Sequence, residues 1–346
     1  MRVLQVMSGA AHGGAETFFV SLAAAFARAG VEQRAVIRAN DGRQAELEAA
    51  GIHVSALSFR RRFDFATPRA LRRIARDFRP HIALTWMNRA SSMLPPGGYV
   101  HVARLGGFYD IKYYRRARHL VCNTRGIVDH VAAQGWPRER ASYIPNFAHL
   151  PEEPAADRRA HDTPEEVPLL LALGRLHENK ALDVLLQALA RIPEAYLWIA
   201  GEGPERGNLE RLAHDLGVAG RVRFLGWRRD RGALFAAADI CAFPSRREPF
   251  GNVVVEAWAS RTPLAAAAAE GPGELVRDGE DGLLAPVDDA DALATALDRL
   301  VREPGLRERL AEEGYRRYQS EFTEEVCVRA YLDLFENLLA ERPAAD

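Results

Sequence analysis

The run P-S-R-R-E-P-F-G-N-V-V-V-E, residues 244–256, decides the fold. It begins where an apolar run, Ile240, Cys241, Ala242 and Phe243, stops. It ends inside a helical pattern that continues through Ala257 and Trp258, and Pro249 and Gly251 break the chain between the two. The pattern predicts a strand, a turn bearing Glu248 and a helix opened by Asn252. In open α/β sheets ligands bind beyond the carboxyl ends of the strands. The first amides of a helix, here those of Phe250, Gly251, Asn252 and Val253, suit phosphate oxygens, and the helix dipole favours negative charge there. Glu248 and Glu256 flank those amides with seven residues between them. Carboxylates accept hydrogen bonds from hydroxyls, so the pair suits two parts of one phosphorylated sugar or nucleoside. Two solvated acids are the plain alternative, and the strand–turn–helix setting weighs against it.

Outward from this run, strands and helices alternate along the chain. Residues 3–7 read as a buried strand, residues 8–14 as a glycine-bearing turn, and residues 16–28 as a helix closed by Gly30. Strands follow at 35–38, 54–57, 82–86, 100–104 and 119–123. Helices are expected at 44–50, at 67–78 with Thr67 as cap and Pro68 in first position, and at 125–134. Residues 147–168 are rich in Pro, Ala and charge without periodicity and read as a linker. A second series opens with the apolar strand 169–173 and the turn G-R-L-H-E-N-K, residues 174–180. It continues with a helix at 182–191, strands at 196–200 and 221–225, short helices at 234–238 and 274–277, and a strand at 264–268. Helices at 290–302, 306–318 and 324–341 close it. Such alternation means parallel sheets covered on both faces. The expected division is 1–150, 165–325 and a closing helix at 326–346.

E-P-F-G-N-V-V-V-E resembles the E-x7-E signature of retaining nucleotide-sugar glycosyltransferases of the GT-B fold, glycosyltransferase family 4. R-T-P-L-A-A, with Arg261 where glycine is usual, resembles that family's G-T-P-V-V-A segment. G-P-G-E-L-V-R-D-G-E-D-G-L-L-A-P-V-D resembles the stretch that follows it. G-R-L-H-E-N-K resembles G-R-L-x-x-x-K-G, with Ala181 for the last glycine. The loop G-G-A-E, Gly13 to Glu16, is similar to the glycine pair that opens the family's first helix. The resemblance implies two Rossmann-like domains with parallel sheets facing across a cleft, and a C-terminal helix crossing back to the first. It implies a retaining, metal-independent hexosyltransferase. The second domain would bind a nucleotide-diphosphate sugar, with a UDP-sugar favoured and no cofactor required.

Site roles follow from the same resemblance. Arg175 and Lys180 would neutralise the departing diphosphate. Glu248 would bind donor-sugar hydroxyls and Glu256 the ribose. The turns at Gly201 and after Leu225 would line the nucleobase, and Gly13 and Gly14 would let the backbone approach the donor. The leaving phosphate would take the acceptor proton, so no side-chain nucleophile is demanded. Where the family carries a histidine after a late strand of the first domain, this chain has Gly106, and Arg104 is the candidate to reach the donor instead.

Net charge is −1, but residues 1–150 hold 22 basic and 10 acidic side chains. Two basic stretches with aromatics, F-R-R-R-F-D-F at 59–65 and Y-D-I-K-Y-Y-R-R-A-R-H at 109–119, suit an anionic membrane surface or glycolipid. No nucleic-acid module accompanies them. The expected acceptor is therefore an anionic glycolipid or lipopolysaccharide-core precursor, met by a cytoplasmic protein peripheral to the inner membrane. No signal region and no spanning apolar run is read, and Cys122, Cys241 and Cys327 show no disulfide or metal spacing. Asp289 and Asp291 form D-A-D at a helix start, where capping explains them. A nucleotide-sugar epimerase and a non-catalytic peripheral membrane protein are the alternatives. A pyridoxal-dependent phosphorylase is disfavoured, because neither Lys112 nor Lys180, the chain's two lysines, has the setting for that cofactor.

Overall fold

A computed structural model describes residues 1–10, 13–60 and 63–341. The chain divides into two compact units, Met1–Asn146 together with the segment from Glu324 on, and Phe147–Thr323.

The first unit runs β1 (Arg2–Met7), α1 (Gly14–Arg28), β2 (Glu32–Arg38), α2 (Asp41–Ala49), β3 (His53–Leu57) and α3 (Ala66–Phe78). It continues with β4 (Ile82–Trp86), α4 (Met87–Met93), β5 (Val100–Leu105), β6 (His119–Cys122), α5 (Arg125–Ala133) and β7 (Ala141–Tyr143). Among the described residues its sheet has seven parallel strands in the order β3-β2-β1-β4-β5-β6-β7. Strands β4, β5 and β6 are buried at every position, as interior strands of a parallel sheet must be. Helix α4 has no apolar period in M-N-R-A-S-S-M and buries only Ala90 and Ser91, so the sequence does not signal it. Helix α3 starts one residue before the expected cap. Asp64 does the capping, its carboxylate accepting from the Thr67 amide at 2.9 Å and hydroxyl at 2.7 Å. The helix Glu324–Ala340 returns to this unit, where Tyr331 and Phe335 set their rings against Phe26 at 5.6 and 6.0 Å.

The second unit runs β8 (Leu169–Leu173), α6 (Leu182–Leu189), β9 (Tyr196–Ala200), α7 (Arg206–Asp215), β10 (Val222–Gly226), α8 (Arg231–Ala237) and β11 (Ile240–Phe243). It ends with α9 (Asn252–Ala259), β12 (Leu264–Ala267), α10 (Glu270–Leu275), β13 (Leu283–Ala285), α11 (Ala290–Arg302) and α12 (Pro304–Arg317). Its six parallel strands lie in the order β10-β9-β8-β11-β12-β13. One face packs Leu185, Leu189 and Leu297 against the sheet, and the other Trp198, Phe243, Trp258 and Phe322. The segment read as a linker is tied down here. The Arg158 guanidinium donates to the Ala237 carbonyl at 2.6 Å and pairs with Asp239 at 3.0 Å. Strand order reverses between β1 and β4 in one sheet and between β8 and β11 in the other. Ligands bind at such switch points, beyond the carboxyl ends of the strands.

Candidate active site

The turns leaving β8 and β11 meet at the second unit's switch point. After β8 the chain passes Gly174, a 3-10 turn at Glu178–Lys180 and Ala181, then enters α6. Ala181 and Arg261, the two positions where this chain departs from the family's glycine, have φ of 48° and 50°. They keep the left-handed backbone that glycine serves, at the steric cost of a Cβ. Arg246 fastens the turn after β11 to the first turn. Its amide donates to the Asn179 carbonyl at 2.8 Å, and its guanidinium grips Asp183 at 2.6 and 2.9 Å and Asp288.

This clamp sets Lys180 against Glu248. The ammonium donates to the Glu248 carboxylate and lies 5.2 Å from the centre of the Phe243 ring. Both side chains are mostly buried, at 24% and 18% exposure. Arg175 stands exposed on the same β8 turn, with no hydrogen bond or ion pair among the described residues. From the other side, the Gly271 amide donates to the Glu248 carbonyl at 2.7 Å. A Cβ at Gly271 would meet the Phe250 carbonyl at 2.3 Å, so glycine is needed for that approach.

Gly251, at φ 101°, turns the chain into α9 at Asn252. The side chains of Phe250 and Val253 are buried in the core, which leaves their backbone as the part able to meet a ligand. One turn into α9, Glu256 is buried and forms an ion pair with Arg231 of α8. Burial pushes its carboxyl up to about 7, against the opposing pull of Arg231 and then Lys180. Sequence reasoning missed Arg231 because α8 begins three residues before the expected 234–238. The signal is the cation two turns upstream of the strand that carries the motif. Each motif glutamate therefore has its own cation, Lys180 for Glu248 and Arg231 for Glu256.

Gly201, at the end of β9, presses on the β8 turn. A Cβ there would lie 1.8 Å from the Gly174 carbonyl oxygen. Gly201→Ala should therefore lower stability by about 1–3 kcal/mol, and an unchanged thermal midpoint would contradict this packing role. Leu225, half-buried on β10, precedes Gly226 and the exposed Trp227. Asp289 caps α11, accepting from the Ala292 amide at 2.8 Å, and Asp291 pairs with Arg191 at 2.5 Å. Among the described residues no group of three or more His, Cys, Asp or Glu is placed to hold a metal ion.

The other expected site residues lie in the first unit. Gly13 and Gly14 are exposed at the start of α1. Glu16 folds back over this loop, its carboxylate accepting from the Ala10 amide at 2.7 Å. Arg104, the residue expected to reach the donor, is internal to the first unit. It is 1% exposed, its guanidinium donates to Asn146, and it stacks over Trp86 and Phe18 at 5.0 and 5.2 Å. A Cβ at Gly106 would sit 2.4 Å from its Nη1, so Arg104 fills the space that the family's histidine would use. Two aromatics of the basic stretches, Phe59 and Tyr114, are likewise core residues, whereas Phe63 and Phe65 are 87% and 66% exposed. The expected membrane-facing residues Arg61 and Arg62 lie outside the described residues.

Residues 12–150 match the family model for Glycosyltransferase Family 4, and residues 154–317 match that for Glycosyl transferases group 1. The chain is 40% identical over 337 residues to lipopolysaccharide core biosynthesis glycosyltransferase LpsE of Rhizobium meliloti (strain 1021), covering 96% of this chain and 97% of that one. The chain belongs to glycosyltransferase family 4. The architecture of this glycosyltransferase is GT-B. A glycosyltransferase from Rickettsia africae ESF-5 superposes with TM-score 0.90 at 18% identity, over 99% of both chains. Alr3699/HepE of Anabaena, solved in complex with UDP-glucose, superposes with TM-score 0.85 at 20% identity, over 97% of this chain and 100% of that one. No helix among the described residues is long and apolar enough to cross a membrane.

Proposed function

We propose that this glycosyltransferase moves a hexosyl unit from a UDP-sugar to a lipopolysaccharide-core or related glycolipid acceptor, with retention of anomeric configuration and without a metal ion. The observation that carries the reading is the contact of Lys180 with Glu248 at the switch point of the second sheet. When the donor binds, sugar hydroxyls take over Glu248, and Lys180 with Arg175 turns to the diphosphate. The bond from C1 to the phosphate oxygen breaks and C1 bonds the acceptor oxygen, while the departing phosphate takes the acceptor's proton. Charge builds on the leaving oxygen, and two cations there stabilise it most as it departs. The UDP-glucose in the Anabaena neighbour supports the donor class, and the LpsE name supports the acceptor class.

The test is a panel of nucleotide sugars with and without lipopolysaccharide-core acceptors, in EDTA, assayed for free nucleoside diphosphate. Release that needs the acceptor, and a product whose anomeric proton coupling matches the donor's, are expected. Release without acceptor, an inverted product, or activity that EDTA removes and magnesium restores would overturn the matching part of the reading.

The two glutamates should separate in a calorimetric titration. Glu256→Ala should weaken the free nucleoside diphosphate, because the ribose loses its acceptor. Glu248→Ala should spare that ligand and weaken the intact nucleotide sugar. The reverse pattern would exchange the two roles. For membrane contact, the exposed Phe63 and Phe65 supply an apolar insertion that salt does not screen. Phe63→Ser with Phe65→Ser should reduce cosedimentation with anionic liposomes at high salt. Equal sedimentation of variant and wild type would remove these residues from the contact.

A further inference from the structure

The first unit carries a second concentration of charge at the opposite edge of its sheet from the Gly13–Glu16 loop. Two adjoining depressions flank loop 94–99, at the amino-terminal edge where β1, β4, β5 and β6 begin. One, of about 550 Å³, is lined by Arg2, Arg72, Arg76, Arg79 and His81. The other, of about 400 Å³, is lined by His101, Arg116 and Arg118. They share the walls formed by Pro95, Pro96 and Tyr99. The arginines come from the start of β1, from α3 and the residue after it, and from the chain between β5 and β6, so segments distant in sequence converge on one groove.

Among the described residues no carboxylate lines either depression. Arg72, Arg76 and Arg116 form no ion pair with any described residue, while Arg118 shares the exposed Glu341 at 3.3 Å. Arg2 is held in place, its Nε donating to the Arg79 carbonyl at 2.8 Å. The Arg2 amide donates to His81 Nδ1 at 3.0 Å, so the neutral ring keeps its proton on Nε2. The Tyr99 hydroxyl donates to the Pro95 carbonyl, and burial raises its pKa to about 12, so it adds no negative charge. The carboxyl end of a helix attracts cations by about 0.3–1 kcal/mol over its last turn. That accounts for one or two arginines of α3, not for a groove that also gathers Arg2 and Arg116 from other elements. Guanidinium forks match phosphate oxygens two at a time, and the volume lies in the range of ligand pockets.

We propose that this groove binds a multiply charged phosphate-type anion, bridging the α3 arginines on one side of Tyr99 and Arg116 on the other. The phosphate could be carried by a soluble molecule or by a lipid headgroup. The inference is independent of the donor site, which lies in the second unit.

The full-length protein would be titrated calorimetrically with inorganic pyrophosphate at low salt, and cosedimented with phosphatidylcholine vesicles with and without phosphatidylglycerol. Both measurements would be made on Lys180→Ala protein, so that the donor site does not contribute, and on the same protein with Arg72→Ser and Arg76→Ser. These arginines are exposed, and an unchanged thermal midpoint would show that folding is intact. Loss of two charge-assisted contacts should weaken binding about tenfold or more. A loss confined to pyrophosphate identifies a soluble ligand, and a loss confined to vesicles identifies a headgroup. The His81 ring signal offers a second reading, because a bound anion raises its pKa. If neither probe binds, or if the arginine variant binds both as its parent does, the proposal is overturned.

Discussion

Lys180→Ala should lower kcat on the order of 10²–10³-fold, the usual cost of removing one preorganised charge from a developing anion. Two things fail together in this variant. On the proposed mechanism the leaving diphosphate loses a cation, and in the empty enzyme Glu248, mostly buried at 18% exposure, loses the partner that balances it. Lys180→Arg should not restore the rate. The Phe243 ring and the Gly174 turn close on the lysine stem, with a Cβ position at Gly174 already 3.4 Å from its Cε. A planar guanidinium there would be displaced from Glu248. Steady-state kinetics on folded variants decides the matter, and a Lys180→Ala enzyme within threefold of the wild-type kcat would remove Lys180 from the chemistry.

Arg231→Ala should move the pH dependence of nucleotide binding. In the ribose-binding role proposed for it, Glu256 must be ionised to accept both hydroxyls, and burial holds its carboxyl at about 7 even with Arg231 beside it. Nucleoside diphosphate affinity should therefore strengthen as pH rises through about 7 in the wild type. Without Arg231 the carboxyl moves further up, and the rise in affinity shifts to more alkaline pH. A shift of one pKa unit, from about 7, weakens binding at neutral pH by about fivefold, recoverable in alkaline buffer, and Arg231→Lys should retain most of the wild-type profile. For stability of the empty protein, a raised acid contributes most below its ordinary pKa of 4.5 and loses that contribution as pH rises through about 7. The empty protein should thus melt lower at pH 8 than at pH 5.5 through this group, and more steeply so in Arg231→Ala. Calorimetric titrations across that range test the first part, and a profile that Arg231→Ala leaves in place would refute it.

The two sheets were legible because their interior strands are continuous apolar runs, such as 169–173 and 240–243. The turns were legible because Gly174, Pro249 and Gly251 punctuate them. The Lys180–Glu248 contact was foreseeable only as two residues on neighbouring turns, and Arg246, which brings those turns together, looked like one more arginine among many. Arg231 escaped because a helix's first turn carries little apolar signal. Arg104 was misplaced for a different reason. A long cation at the carboxyl end of a strand suggests a ligand, and only the positions of Trp86, Phe18 and Asn146 show it turned inward. Phe59 and Phe63 have similar sequence surroundings, yet one is core and the other exposed.

The inward turn of Arg104 also couples it to the residue at 106. Its guanidinium and any side chain at 106 compete for one volume. A Gly106→His exchange would push the end of the Arg104 guanidinium aside. Arg104→Ala would remove one donor to Asn146 and leave a void beside two aromatic rings. The residue at 106 thus sets how far the guanidinium can lie over Trp86 and Phe18, and so how the end of this strand is filled.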